Sequence, residues 1–196
     1  MIAGRPLAAW VVWRQARTRP PSNRQGVSAS QDPTRRSSDL AVVQRISADA
    51  YIAAYVPVPG YIPFLAEENY GPRIERSEVW LLTCDDGDVG VAVLEERRDH
   101  LLLYSVAVRP TEQGRGHGRA PLDFADQRAA ELGLAAIRLY TSMRTAKNIA
   151  LYGRHGYAEI GTRPHATRVG ELLVDMVRAV PSSAGSEAAF DARPGW

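Results

Sequence analysis

The stretch that most restricts the fold of this chain is Val106-Ala-Val-Arg-Pro-Thr-Glu-Gln-Gly-Arg-Gly-His-Gly-Arg119, where strand-forming residues run into a turn and three alternate glycines before helix-compatible sequence. Gly114, Gly116 and Gly118 leave a backbone without Cβ atoms, so consecutive N–H groups can approach an anion at the start of a helix. The guanidinium groups of Arg115 and Arg119 suit phosphate oxygens. The chain has no Gly-Lys-Ser/Thr, which excludes a Walker loop. Its Gly-x-Gly-x-Gly spacing is also not the Gly-x-Gly-x-x-Gly of a dinucleotide fold.

A second block, Asn148-Ile-Ala-Leu-Tyr-Gly-Arg-His-Gly-Tyr157, follows at a distance. Together the two blocks carry a resemblance. Gln113-x-x-Gly116-x-Gly118 resembles the acyl-CoA loop of the GNAT family of N-acetyltransferases, whose pattern is Gln/Arg-x-x-Gly-x-Gly/Ala. The second block is similar to the later segment of that family, Asn-x-x-Ala-x-x-Leu-Tyr shortened here to Asn-Ile-Ala-Leu-Tyr, then Gly-aromatic. Order and separation agree, and the resemblance covers about residues 41 to 180.

The resemblance implies an α/β fold: a mixed, mainly antiparallel sheet of about six to seven strands flanked by helices. It implies acetyl-CoA as the acyl donor and a primary amine of a small molecule or peptide as the acceptor. In the family the pantetheine arm lies in a gap between splayed strands, which points to the main chain of Val106, Ala107 and Val108, where an N–H would also polarise the thioester carbonyl. The diphosphate would rest on Gln113, Gly114, Arg115, Gly116, His117, Gly118, Arg119 and Ala120, and Asn148 would touch the pantetheine.

Tyr152, by the same resemblance, is the acid that protonates the departing thiolate. A thiol has a pKa near 8.5 and a phenol one of about 10, so the transfer is feasible within hydrogen-bond reach. The amine, with a pKa of about 10.4, needs a base. Several relatives carry a Glu on the strand entering the loop or on the next one, but Leu101–Val108 and Ala136–Thr141 contain no carboxylate. Glu67, Glu68, Glu95 and Glu96 stay open as candidates, as does a water relay through Tyr104 or Tyr140. Cys84 as an acyl-carrying nucleophile is the weaker alternative, for it lies away from both blocks and lacks a basic neighbour in sequence. The four histidines lack metal-ligand spacing, so no metal is expected. The acceptor is expected against Tyr51 to Arg76 and the 163–169 loop, with Tyr51, Tyr55, Tyr61, Phe64 and Tyr70 as walls. A helical cap packing those aromatics onto the sheet explains them equally well.

The ends read differently from the middle. Residues 1–40 carry a local charge of +5 against +2 for the chain, which leaves −3 for the rest. They lack apolar periodicity and are expected to form a disordered basic tail; residues 41–180 form the domain and 181–196 a flexible tail. The apolar run from Leu7 to Trp13 is too short to span a bilayer, which takes about 20 residues. One cysteine excludes a disulfide framework and fits a reducing, cytoplasmic setting. A CoA-binding module without turnover and a nucleic-acid partner for the basic tail are the rival readings, and a homodimer is left open.

Val42–Ile46 is expected as a strand, with a helix cap at Ser47. Glu78–Thr83, Val89–Leu94 and Leu101–Val108 read as an antiparallel meander, its first turn at Asp85-Asp-Gly-Asp. A helix follows the glycine loop and ends at Gly133. Ala136–Thr141 is the next strand, Thr145–His155 a helix, and Tyr157–Gly161 and Leu172–Val177 close the sheet.

Overall fold

The computed structural model describes residues 11–17, 39–55, 63–85, 87–114, 117–166 and 168–180. Its helices are α1 (Asp39–Tyr55), α2 (Gly71–Glu75), α3 (Ala120–Glu131) and α4 (Ala146–Arg154). The strands are β1 (Val12–Gln15), β2 (Val79–Cys84), β3 (Gly87–Glu96), β4 (Leu101–Val108), β5 (Ala136–Ser142), β6 (Ala158–Pro164) and β7 (Leu172–Ala179). They form one seven-stranded sheet in the order β1-β2-β3-β4-β5-β7-β6. Of the pairings with a described register, β4–β5 is parallel and the others are antiparallel. This is the mixed, mainly antiparallel sheet that the resemblance implied.

Two expectations are corrected. Val42–Ile46 is not a strand but part of α1. Val43, Ile46, Ser47 and Ala50 are all buried, and their i, i+3, i+4, i+7 spacing lines one face of a helix, whereas a strand would turn Val43 and Ile46 to opposite sides. Ser47 is therefore a buried mid-helix residue rather than a cap. The helix starts instead at Asp39, whose negative charge suits a first turn.

The second correction concerns the expected tail of residues 1–40. Within it Val12–Gln15 forms β1, paired with β2 from Val12↔Thr83 to Gln15↔Trp80. Arg14 pins the strand, donating to Asp39 at 3.0 Å and to Asp88 at 2.8 Å, while the Arg17 N–H reaches Asp39 at 2.8 Å. These partners raise the Arg14 pKa, the Asp39 hydrogen bond foremost. The rest of residues 1–40, apart from Val11–Arg17 and the first two residues of α1, lies outside the described residues, as does 181–196.

The chain divides into two compact units, one of residues up to Val93 with Ser105–Gly118, the other of Leu94–Tyr104 with Arg119 onward. In the first, Val43, Ile46, Tyr70, Val79, Leu81, Val91 and Val93 are wholly buried. Gly90 allows β3 to lie close to β4: a Cβ there would stand 3.2 Å from the Ala107 carbonyl oxygen. In the second, Leu101 and Leu103 of β4, Ile137 and Leu139 of β5, and Leu122, Ala125 and Ala129 of α3 are buried, the last three at helical spacing. Each Leu or Ile so buried stabilises by about 1.5–3 kcal/mol.

Candidate functional site

In the first unit the site residues hang on the end of β4. The Arg109 N–H donates to the Val89 carbonyl on β3 at 2.9 Å. Main-chain N–H and C=O groups alternate sides along a strand, so Arg109, Ala107 and Ser105 face β3 while Val106 and Val108 face the opposite edge. Side chains occupy that edge. The Tyr51 hydroxyl accepts the Val106 N–H at 3.3 Å and lies 3.1 Å from the Val106 carbonyl oxygen, and the Gln113 side-chain amide donates to the Val108 carbonyl at 3.0 Å. Two polar side chains thus stand where the main chain of another strand would pair.

After β4, Pro110–Glu112 make a 3₁₀ turn and Gly114 adopts φ +78°, a left-handed conformation that a side chain at this position would strain. His117 packs toward Glu112, 3.7 Å from ring nitrogen to carboxylate, and its side chain is largely covered. Arg115 and Gly116 lie outside the described residues. Gly118 closes this unit's share of the loop.

In the second unit α3 begins with Arg119 at its N-cap, and no side chain caps it. Of its first amides Pro121 has none, and those of Leu122 and Asp123 donate to the Arg119 carbonyl at 2.9 and 3.1 Å, which leaves the helix start at Ala120 as the place where an anion could approach. Pro121 in the first turn lacks an N–H, so it forfeits no intrahelical bond there. Arg119 carries its own counter-charge, Asp123, at 3.4 Å.

Helix α4 presents Asn148 and Tyr152 four residues apart, on one face and both half-buried. The helix starts after Thr145, whose hydroxyl donates to the Ser142 carbonyl at 2.7 Å while its carbonyl accepts the Asn148 N–H at 2.9 Å. The Tyr152 ring meets Tyr157 edge-on, with centroids 6.1 Å apart. Tyr157 stacks in turn on His155 at 6.2 Å, and the His155 Nε2 lies 3.1 Å from Asp126. Burial pushes the Tyr157 phenol well above its ordinary pKa, and its hydroxyl has no hydrogen-bond partner among the described residues. Asp123, Asp126 and His155 bring potential ligand atoms within 4.8 Å of one another, a grouping that sequence spacing did not show. Arg178 is already ion-paired with Asp126 and supplies the positive charge there.

Sequence reading missed Asp175. On β7 it pairs with Tyr140 across the β5–β7 ladder, it is 3% exposed, and both its oxygens stand 3.1 Å from the Arg163 Nε. Burial raises its carboxyl above the usual range, against the pull of Arg163. Arg163 also lies over the Tyr140 ring at 4.9 Å, and Tyr140 meets Tyr104 edge-on at 6.1 Å. The signal was available in Leu172-Leu-Val-Asp-Met-Val, one charge inside an otherwise apolar strand.

The base candidates named from the sequence are ion-paired, as Asp175 itself is, or exposed. Glu68 pairs with Arg73 at 2.6 Å, Glu95 pairs with Arg97, and Glu67 and Glu96 are exposed. Tyr70 is wholly buried and donates to the Leu65 carbonyl at 3.0 Å, which makes it a packing residue rather than a pocket wall. Phe64 is exposed, whereas Tyr61 and the Tyr55 side chain lie outside the described residues. Cys84 ends β2 beside the hairpin, its sulfur 3.7 Å from the Gly87 carbonyl oxygen. Among the described residues no helix is long and apolar enough to cross a membrane.

Comparison with known proteins bears on this arrangement. Residues 75–159 match the family model of the acetyltransferase (GNAT) domain. No curated protein matches the chain. Among solved structures, the chain is similar to the PaiA N-acetyltransferase of Thermoplasma acidophilum in complex with coenzyme A, at 15% identity over 87% of this chain and 99% of that one, with a TM-score of 0.64. It is similar also to the ribosomal-protein-S18-alanine N-acetyltransferase of Escherichia coli, at 19% identity over 92% and 100% of the two chains, with a TM-score of 0.60. Both likenesses concern the fold. The chain spans 65% of the length of a nourseothricin acetyltransferase that it matches at 25% identity over 53% of its own length, with a TM-score of 0.49. The family model takes in both the glycine loop and Tyr152, so over residues 75–159 the chain is similar to the GNAT acetyltransferases, a family of acyltransferases.

Proposed function

We propose that this chain is an N-acetyltransferase that moves an acetyl group directly from acetyl-CoA to a primary amine of a small molecule or peptide. The observation that carries the reading is that one family match, residues 75–159, contains both motif blocks in their expected order. The outward-facing groups of Val106 and Val108, with Ala107 between them, take the pantetheine arm, and Asn148 contacts it. The loop from Gln113 to Ala120, with Arg115 and Gly116 supplying backbone and charge, takes the diphosphate. The start of α3, which no side chain caps, supports that assignment.

In the reaction the amine lone pair attacks the thioester carbon, the carbonyl π pair moves onto oxygen, and the Val106 N–H stabilises the resulting anion. Collapse breaks the C–S bond, and the Tyr152 hydroxyl gives its proton to the departing sulfur. The amine's proton passes to a base, for which we take Asp175, buried on β7 opposite Tyr140. Asp175→Asn is expected to lower turnover and to remove the acidic limb of its pH profile. A cytoplasmic setting fits the supply of acetyl-CoA.

The test is release of free thiol from acetyl-CoA against a panel of α-amino peptides, polyamines and amino sugars. Steady release with one of them supports the transferase. Thermal stabilisation by CoA with no release from any acceptor would instead support a binding module.

A further inference from the structure

The Tyr51 hydroxyl, brought from α1, meets the main chain of β4 at the group that the proposed reaction gives to the thioester oxygen. It stands 3.0 Å from Ser105 Oγ, 3.1 Å from the Val106 carbonyl oxygen and 3.3 Å from the Val106 nitrogen. The Ser105 side chain is buried, at 3% exposure, so this anchor is a fixed one. Val106 points away from β3, and the hydroxyl sits on the edge left for a ligand's main-chain-like groups.

We infer that Tyr51 is a catalytic residue: its hydroxyl is the second hydrogen-bond donor to the acetyl carbonyl oxygen, beside the Val106 N–H. The inference rests on the donor reading above and deepens it. An oxygen that accepts the Val106 N–H at ordinary distance occupies the place the Tyr51 oxygen holds here. Displaced by one oxygen's width and still tethered to Ser105, the hydroxyl turns its proton toward that oxygen. Two donors then converge on the atom where negative charge develops, and neither gives up its proton: when the amine adds, the π pair rests on oxygen between them, and it returns as the C–S bond breaks and the sulfur takes the Tyr152 proton. A single N–H on the strand edge would meet the same charge with half the donors.

CoA lacks the acetyl carbonyl and acetyl-CoA has it, so the pair isolates this contact without any acceptor. Both are titrated calorimetrically into the wild-type chain, Tyr51→Phe and Ser105→Ala, with melting temperatures recorded to confirm folding. Wild type is expected to bind acetyl-CoA more tightly than CoA. Tyr51→Phe should lose about 3- to 10-fold in acetyl-CoA affinity, the range of one hydrogen bond, and keep CoA affinity within about twofold. Ser105→Ala should move the same ratio the same way by less, and so carries the test if Tyr51→Phe folds poorly. With an acceptor in hand, Tyr51→Phe should cut turnover by about 100-fold, as loss of one such donor does elsewhere. An unchanged acetyl-CoA to CoA ratio, or equal tightening of both ligands, would overturn the role and leave the hydroxyl as a mere occupant of the edge. A wild-type chain that binds neither ligand would remove the donor reading itself, and this inference with it.

Discussion

The tyrosines of the two units differ in the contacts that the structure shows for them. In the first unit the hydroxyl does the holding: Tyr70 donates to the Leu65 carbonyl, and Tyr51 sits on Ser105 and Val106. The second unit shows ring contacts, with Tyr152 edge-on to Tyr157, Tyr157 stacked on His155, and Tyr140 between Tyr104 and the Arg163 guanidinium. A ring oriented by its faces and edges keeps its orientation when the oxygen is removed. Loss of the Tyr70 hydroxyl should therefore cost stability, and loss of the Tyr152 hydroxyl chemistry.

The largest effect expected from this contrast is on rate. Tyr152→Phe should lower turnover by about 100-fold while CoA affinity stays within about twofold, because general acid catalysis is lost and the ring contact is kept. Thiol release and calorimetry read the two quantities, and an undiminished rate would remove Tyr152 from the chemistry.

Alkaline pH gives the next effect. Burial pushes the Tyr70 phenol up to about 12 from an ordinary value of 10. Below pH 10 the folded and unfolded phenols are both protonated and the stability is whole. As pH rises toward 12 the unfolded phenol ionises first, so stability drains away by about 2–3 kcal/mol. Urea midpoints measured across that window should fall in the wild type and fall less in Tyr70→Phe.

At neutral pH Tyr70→Phe itself should destabilise by about 1–2 kcal/mol, since it leaves the Leu65 carbonyl without that donor. The smallest change belongs to Tyr157→Phe, which removes a buried hydroxyl that has no partner among the described residues. It should be neutral or stabilise by up to about 1 kcal/mol, and a loss as large as that of Tyr70→Phe would break the comparison.

Most of the sheet could be read from the chain. Apart from the largely exposed β6, the strands from Val79 to Ala179 announce themselves by apolar runs between turn residues, and the glycine loop by the residue type its backbone needs. The helix over residues 39–55 escaped because Val42, Val43 and Ile46 favour a strand locally, and only the wider spacing that buries Val43, Ile46 and Ala50 decides for a helix. Tyr51 was legible as an aromatic but not as a partner of Val106, because the pairing joins residues 55 apart in sequence and depends on which β4 groups face away from β3. Asp175 shows the same limit. A lone charge in an apolar strand can be seen in the sequence, but its neighbour Tyr140 is set by register alone.

The short strand at Val12–Gln15 has a practical consequence for anyone who shortens this protein. Composition invites a cut at residue 41, yet that cut would strip the edge strand β1, take Asp39 from the start of α1 and, with Arg14, remove the cation paired with Asp88. The outer main-chain groups of Val79–Cys84 would then be bared, a template on which molecules add to one another edge to edge. Self-association of such a trimmed protein would report a missing strand rather than a natural quaternary state.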